Sequence, residues 1–315
     1  MPLDPIVAGV RDYRVATGFT PLYTMSVDQA RRADRETEAD IWDWHKQPEE
    51  IFDLDIPGPA GPMTLRVYRP QSETPLPVLV YFFGGGWVVG SVDTSDAICR
   101  ALATMTPCVI VSVGYRLAPE HPFPAAIDDC YAGVKWVAEH ASEIGGDGTR
   151  LGVAGDSSGG NLAAVMALMA RDEEGPEISA QVLVYPPTRM GADTQSMRDN
   201  TDPMFFNAHS ADWFWSLYLA EPADGESPYA SPLNAADLSG LPAALMMTAE
   251  FCPSHDEGEA YSDALALAGV PVEYHRYTDL PHGFLAMASI LETSRDAMEI
   301  IADFVRRRLG RDEIG

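Results

Sequence analysis

Short apolar runs alternate along this chain with longer stretches in which apolar residues recur every three or four positions. Residues 63–68 alternate apolar and polar side chains, the period of a half-buried strand. Residues 77–82, 108–115, 151–154, 182–185 and 243–248 are nearly continuous apolar runs, which suits strands buried on both faces, and 272–277 closes the series. Between them, residues 93–105, 125–140, 162–170 and 256–268 carry helical spacing. Strands alternating with helices predict an α/β fold with a mostly parallel sheet and helices on both faces.

Two regions break that rhythm. In the first, Val7, Val10 and Tyr13 recur at helical spacing, and Ser26-Val27-Asp28-Gln29 is a capping box that opens a second helix toward Trp42. The second, residues 186–234, is Pro-rich and irregular and gathers Phe205, Phe206, Trp213, Phe214, Trp215 and Tyr218, with Ser210 as the expected cap of a short helix. These aromatics predict a small core of their own, packed away from the sheet against the N-terminal helices and roofing a pocket.

Charge narrows the partners. The 315 residues carry a formal net charge of −26, and Lys46 and Lys135 are the only lysines. Such a surface repels nucleic acid and anionic membranes, leaving a small molecule as the expected partner. Residues 1–16 lack a basic start followed by an apolar core, so no signal peptide is expected. Cys99, Cys108, Cys130 and Cys252 show no CxxC spacing, which predicts free thiols in a reduced, cytoplasmic protein. Oligomeric state is left open.

The chemistry gathers at strand ends. Gly155 and Gly159 flank Ser157 in the G-x-S-x-G spacing, between an apolar strand and the helical pattern of Leu162, Val165, Met166 and Met169. A serine on so sharp a turn needs neighbours without Cβ, presents Oγ to a ligand, and aims the N–H of Ser158 at an incoming carbonyl oxygen. Phe83-Gly84-Gly85-Gly86-Trp87 follows another strand, and its glycines let backbone N–H groups converge as in an oxyanion hole. A phosphate-cradling loop is the competing reading, but neither dinucleotide nor P-loop spacing is present. His282, in Asp279-Leu280-Pro281-His282-Gly283-Phe284, stands on the loop after the last strand, free to point at a neighbouring site.

Together with residues 115–126, Ser227 to Leu233 and Asp256-Glu257-Gly258, these motifs make the chain resemble the bacterial hormone-sensitive-lipase-like esterases of the α/β-hydrolase fold, in family order over essentially its whole length. The resemblance implies an eight-stranded, mostly parallel sheet flanked by helices. It implies a helical cap from residues 1–45 and 187–234 over a core of 46–186 and 235–315. Hydrolysis of small or medium esters would follow, with no cofactor or metal. Carried over, Ser157 is the nucleophile, His282 the general base, and the amides of Gly85, Gly86 and Ser158 the oxyanion hole.

Two positions depart from the family. Phe83 replaces the first residue of His-Gly-Gly-Gly and is expected, with Trp87, to shape and dry the pocket mouth. Cys252 stands just before Pro253, where the family has its triad acid. A thiol accepts hydrogen bonds weakly and brings no charge, so either Cys252 is a weakened third member or a nearby carboxylate substitutes, Asp256 being the best placed. A site without its acid also admits a lyase on the same scaffold, resembling the plant dehydratases, that removes a carboxylate or water by β-elimination, which needs a base and an anion hole but no acyl-enzyme. A non-catalytic receptor, resembling the gibberellin receptors, is the third reading, opposed by the retention of both Ser157 and His282.

Overall fold

The apolar runs pair into one eight-stranded sheet in the computed structural model, which describes residues 2–38 and 47–310. Trp42 and Lys46 fall outside those residues. The strands are β1 (Glu50–Gly58), β2 (Gly61–Arg69), β3 (Leu76–Phe82), β4 (Val109–Val113), β5 (Gly146–Asp156), β6 (Ile178–Val184), β7 (Ala243–Phe251) and β8 (Val272–Pro281), in the order β1-β2-β4-β3-β5-β6-β7-β8. β2 runs antiparallel to both β1 and β4, and every other pairing is parallel. This is the α/β-hydrolase architecture that the motifs implied.

Strand periodicity divides the core in two. On β3, Val78, Val80 and Phe82 join one cluster with α4 (Ala125–His140), α5 (Ser158–Asp172) and α8 (His255–Leu267). Leu79 and Tyr81 face the other way, into a cluster closed by α3 (Asp96–Met105) and α9 (Glu292–Leu309). Because helices cover both faces, the central strands can be apolar throughout, and β4 is buried at every position.

The remaining helices are α1 (Pro5–Thr17), α2 (Val27–Glu38), α6 (Gln195–Asp199) and α7 (Ala208–Tyr218). The capping box of α2 forms as read, with Ser26 N–H donating to Gln29 Oε1 at 3.0 Å and Gln29 N–H to Ser26 Oγ at 3.4 Å. The cap of α7 is different from the expectation: Asn207 Oδ1 accepts from the Ser210 amide at 3.1 Å, so Ser210 lies inside the helix and Asn207 caps it. The irregular segment does meet the N-terminal helices. Arg11 Nε donates to Asp202 Oδ2 at 2.6 Å and Arg14 Nη1 to the Met204 carbonyl at 2.5 Å.

Two elements were not anticipated. β1 is an edge strand whose burial is confined to Ile56, so its alternation is diluted by Asp53, Asp55 and Pro57. In α9, Ala297, Ile301, Phe304 and Val305 are buried at helical spacing, a signal that the motifs upstream overshadowed. Among the described residues no helix is long and apolar enough to cross a membrane, and all four cysteines are free and buried.

Glu257 is buried in α8, with Oε2 accepting the Arg189 amide at 3.1 Å, and burial pushes its carboxyl up to about 8. The folded chain therefore holds this proton more tightly than the unfolded chain, whose glutamate has the ordinary value of 4.5. The resulting stabilisation is complete below the unfolded value and is lost as pH rises through the folded one. Between about pH 5 and pH 8, the wild-type melting temperature should fall relative to that of Glu257→Gln, which cannot ionise. Parallel curves in a calorimetric pH series would contradict this assignment.

Candidate active site

β5 and α5 meet at Ser157, which is held at φ 55° and ψ −125°, a conformation that side-chain-bearing residues rarely adopt. The glycines around it are a steric necessity. A Cβ on Gly155 would lie 2.2 Å from the Gly159 carbonyl oxygen, and one on Gly159 would lie 1.9 Å from that of Phe82. The strand therefore approaches the helix closely enough to lift Ser157 Oγ above the sheet.

The last two parallel strands bring up its partners. Cys252 follows β7 and His282 follows β8, and these strands pair through residues 244–251 and 272–281. His282 Nε2 lies 2.8 Å from Ser157 Oγ, and His282 Nδ1 lies 3.0 Å from Cys252 Sγ. The His282 amide donates to the Phe251 carbonyl at 3.1 Å, which ties the histidine loop to the strand that carries Cys252. The imidazole packs against two aromatic rings, stacked on Phe206 at 4.2 Å and tilted against Tyr185 at 4.7 Å between centroids.

The electrostatics follow from what Cys252 lacks. Burial pushes its thiol up to about 12, so it stands as neutral S–H. Burial alone acts on His282 and lowers it well below the usual 6.5, to about 3. In a carboxylate-supported triad a negative charge would oppose that shift. A carboxylate also accepts only, and so fixes the proton on Nδ1. A thiol can accept from Nδ1–H or donate to Nδ1, and only the first tautomer leaves Nε2 able to take the Ser157 proton.

Opposite Ser157 lies the glycine loop after β3. Among the described residues the amides of Gly85, Gly86 and Ser158 donate to no protein acceptor, while that of Gly84 donates to Asp156 Oδ1 at 3.2 Å. Asp156 also accepts from Tyr81 O–H at 2.7 Å, so the residue preceding the serine braces the loop facing it. The cap side adds Arg31, whose Nε donates to the Val88 carbonyl at 2.9 Å, and Asp34, whose Oδ2 accepts the Gly90 amide at 3.1 Å. Asp156, Arg31 and Asp34 were not singled out from sequence, whereas Phe206 belongs to the aromatic cluster expected to roof a pocket. Asp156 alone had a local signal, its place in the elbow motif.

Two expected placements change. Asp256 does not serve His282: its Oδ2 accepts the Ser196 amide at 2.8 Å, because the first turn of α8 faces α6. Phe83 keeps its expected place on the cavity beside Ser157, where it is buried and stacked on Tyr115 at 4.1 Å, while Tyr115 O–H donates to the Phe83 carbonyl at 2.8 Å. Trp87 borders neither cavity at the site. It is buried with its ring stacked on Tyr218 at 4.1 Å and against Trp215 at 4.6 Å, pinning α7 to the loop.

Two cavities meet at His282. One, of about 570 Å³, is walled by Val10, Phe19, Phe205, Phe206, Phe214 and Ile290 among others. The other, of about 220 Å³, is bounded by Ser157, the glycine loop, Asp34 and Asp156. Phe206, Phe214 and His282 border both.

Comparison with known proteins matches residues 79–286 to a family described by the alpha/beta hydrolase fold. The chain is 40% identical to esterase LipI of Mycobacterium tuberculosis, over 94% of this chain and 92% of that one. It is 35% identical to an ethyl acetate hydrolase of Pseudomonas putida, covering 98% and 100%. A hyperthermophilic esterase from Pyrobaculum calidifontis superposes with a TM-score of 0.93 at 42% identity, covering 98% and 99% of the two chains.

Putting a carboxylate back should show what the thiol costs. Cys252→Asp is expected to speed fluorophosphonate labelling of Ser157 by about 10- to 100-fold at neutral pH, a part of the roughly 10⁴-fold that a triad aspartate supplies. The acid limb of labelling should also move up toward the ordinary histidine value. An unchanged rate and limb would contradict the role given to Cys252.

Proposed function

The chain belongs to the hormone-sensitive-lipase-like esterases of the α/β-hydrolase fold, and on that premise we propose that it is a serine carboxylesterase whose Ser157–His282 pair works with the neutral thiol of Cys252 in the acid position. The observation that carries this reading is the unbroken chain from Cys252 Sγ through His282 to Ser157 Oγ, at 3.0 and 2.8 Å, facing three unpartnered amides.

In the proposed reaction Ser157 Oγ attacks the ester carbonyl as its proton passes to His282 Nε2. The tetrahedral oxyanion is held by the N–H groups of Gly85, Gly86 and Ser158, near the N-terminus of α5. The imidazolium gives its proton to the departing alkoxide, leaving an acyl group on Ser157. Water, deprotonated by His282, then releases the acid. Cys252 enters through the imidazolium: without an adjacent negative charge that species is less stabilised, so both half-reactions are slower than with a carboxylate. In this reading the cap of residues 1–45 and 187–234 is represented by the described residues 2–38 and 187–234, over a core described at 47–186 and 235–310. The apolar cavity of about 570 Å³ takes the larger arm of a small or medium ester.

One observation favours a second reading. A base with no charged partner suffices for β-elimination of a carboxylate or water, with the same amides holding the developing anion. The two reactions separate at Ser157. With p-nitrophenyl acetate or butyrate, hydrolysis should be accompanied by an acyl mass increment on Ser157 and should fall at least about 10³-fold in Ser157→Ala. Loss of activity without any acyl adduct, or an alkene product that survives Ser157→Ala, would sink the esterase reading.

A further inference from the structure

The loop bearing Cys252 continues through Pro253 and Ser254 into α8, whose first turns hold a second cluster that ester chemistry does not use. His255 and Glu259 stand four residues apart and so project from one side of the helix. Asp256 joins them, and one ligand atom from each of the three residues lies within 4.8 Å of the others. His255 Nε2 is 3.9 Å from Glu259 Oε2. That is too long for a hydrogen bond, yet it suits two atoms sharing a cation at bond lengths of about 2.0–2.2 Å.

The histidine distinguishes this cluster from an ordinary group of surface acids. His255 is 3% exposed, and among the described residues neither Nδ1 nor Nε2 has a hydrogen-bond partner. Buried imidazole nitrogens left unpaired are costly, and a ligand on one of them recovers part of that cost. His255 and Asp256 also line a polar cavity of about 350 Å³, with Gln195, Asn200, Glu250 and Arg276, that gives a path from solvent. Arg276 does not block a cation there, since its Nε and Nη2 both donate to Glu250 Oε2, at 3.0 and 2.6 Å. Asp256 is already oriented, because the Ser196 amide holds Oδ2 at 2.8 Å and leaves the other oxygen for a ligand.

The geometry points to a binding site for one divalent transition-metal ion of the zinc class, ligated by His255, Asp256 and Glu259 with water completing the shell. It is separate from the Ser157–His282 site and three residues beyond Cys252 in the chain. Neither CxxC nor H-x-x-x-H spacing announces it, because its ligands come from one helix start with a single histidine.

The test uses the whole chain and Zn²⁺ itself. Competition with a chromogenic chelator should reveal one bound equivalent, and a hundredfold excess of Zn²⁺ over its Kd should raise the melting temperature by about 4–6 °C. Glu259→Gln, at a half-buried position that tolerates the change, should weaken binding at least about tenfold. His255→Gln should weaken it further. With Co²⁺ in place of Zn²⁺, d–d bands should appear without a thiolate-to-metal charge-transfer band. Equal affinity in both variants would overturn the site, and so would a thiolate band, which would place the metal on Cys252 and His282. Ester hydrolysis by Glu259→Gln is expected to match wild type, so failure here is distinguishable from failure of the esterase reading.

Discussion

Everything at this site depends on one chain of uncharged hydrogen bonds, Cys252 to His282 to Ser157. The sheet spends its C-terminal strands on building it: β5 supplies the elbow, β7 the thiol and β8 the imidazole, and the parallel register sets them side by side. What distinguishes this chain from a carboxylate-supported triad is a missing charge. Burial lowers the imidazole and raises the thiol, and nothing in the pair opposes either shift. The imidazole is therefore weakly basic and stays neutral over a wide range of pH, and its tautomer is set by a group that can either donate or accept.

The opposing wall is held by aromatic stacking and by hydrogen bonds from two carboxylates. Phe83 stacks on Tyr115 beneath the glycine loop, while Trp87 locks onto Tyr218 of α7. Asp156 and Asp34 each hold one amide of the loop or its continuation, Gly84 and Gly90. Among the described residues the amides of Gly85 and Gly86 are left without a protein acceptor. α7 also lends Phe214 to both cavities and packs on Trp87 through Trp215 and Tyr218.

Much of this was legible in sequence, and for identifiable reasons. Strands buried on both faces announce themselves as apolar runs, and a strained serine turn demands Gly155 and Gly159 at fixed offsets. Cys252 could be placed by its distance from Pro253 and the Asp256-Glu257-Gly258 run. The failures concern side chains whose roles depend on tertiary neighbours. Asp256 is close in sequence to Cys252, but the helical turn between them aims it at Ser196. Trp87, like Phe83, looks like a pocket residue because it flanks the glycines, yet unlike Phe83 it is drawn away from both cavities by Tyr218, a partner distant in sequence. β1 was missed because an edge strand with one buried residue has almost no hydrophobic signature.

The central claim is that His282 is a base without a charged partner, and a direct titration of its ring by ¹⁵N NMR addresses it. With Cys252 a neutral thiol, the His282 nitrogens should remain in the neutral pattern down to at least about pH 5, well below the ordinary histidine midpoint. Cys252→Asp should bring the midpoint back up. A wild-type midpoint at or above the ordinary value would mean that a thiolate or another anion stands beside the ring, and the neutral chain would have to be abandoned.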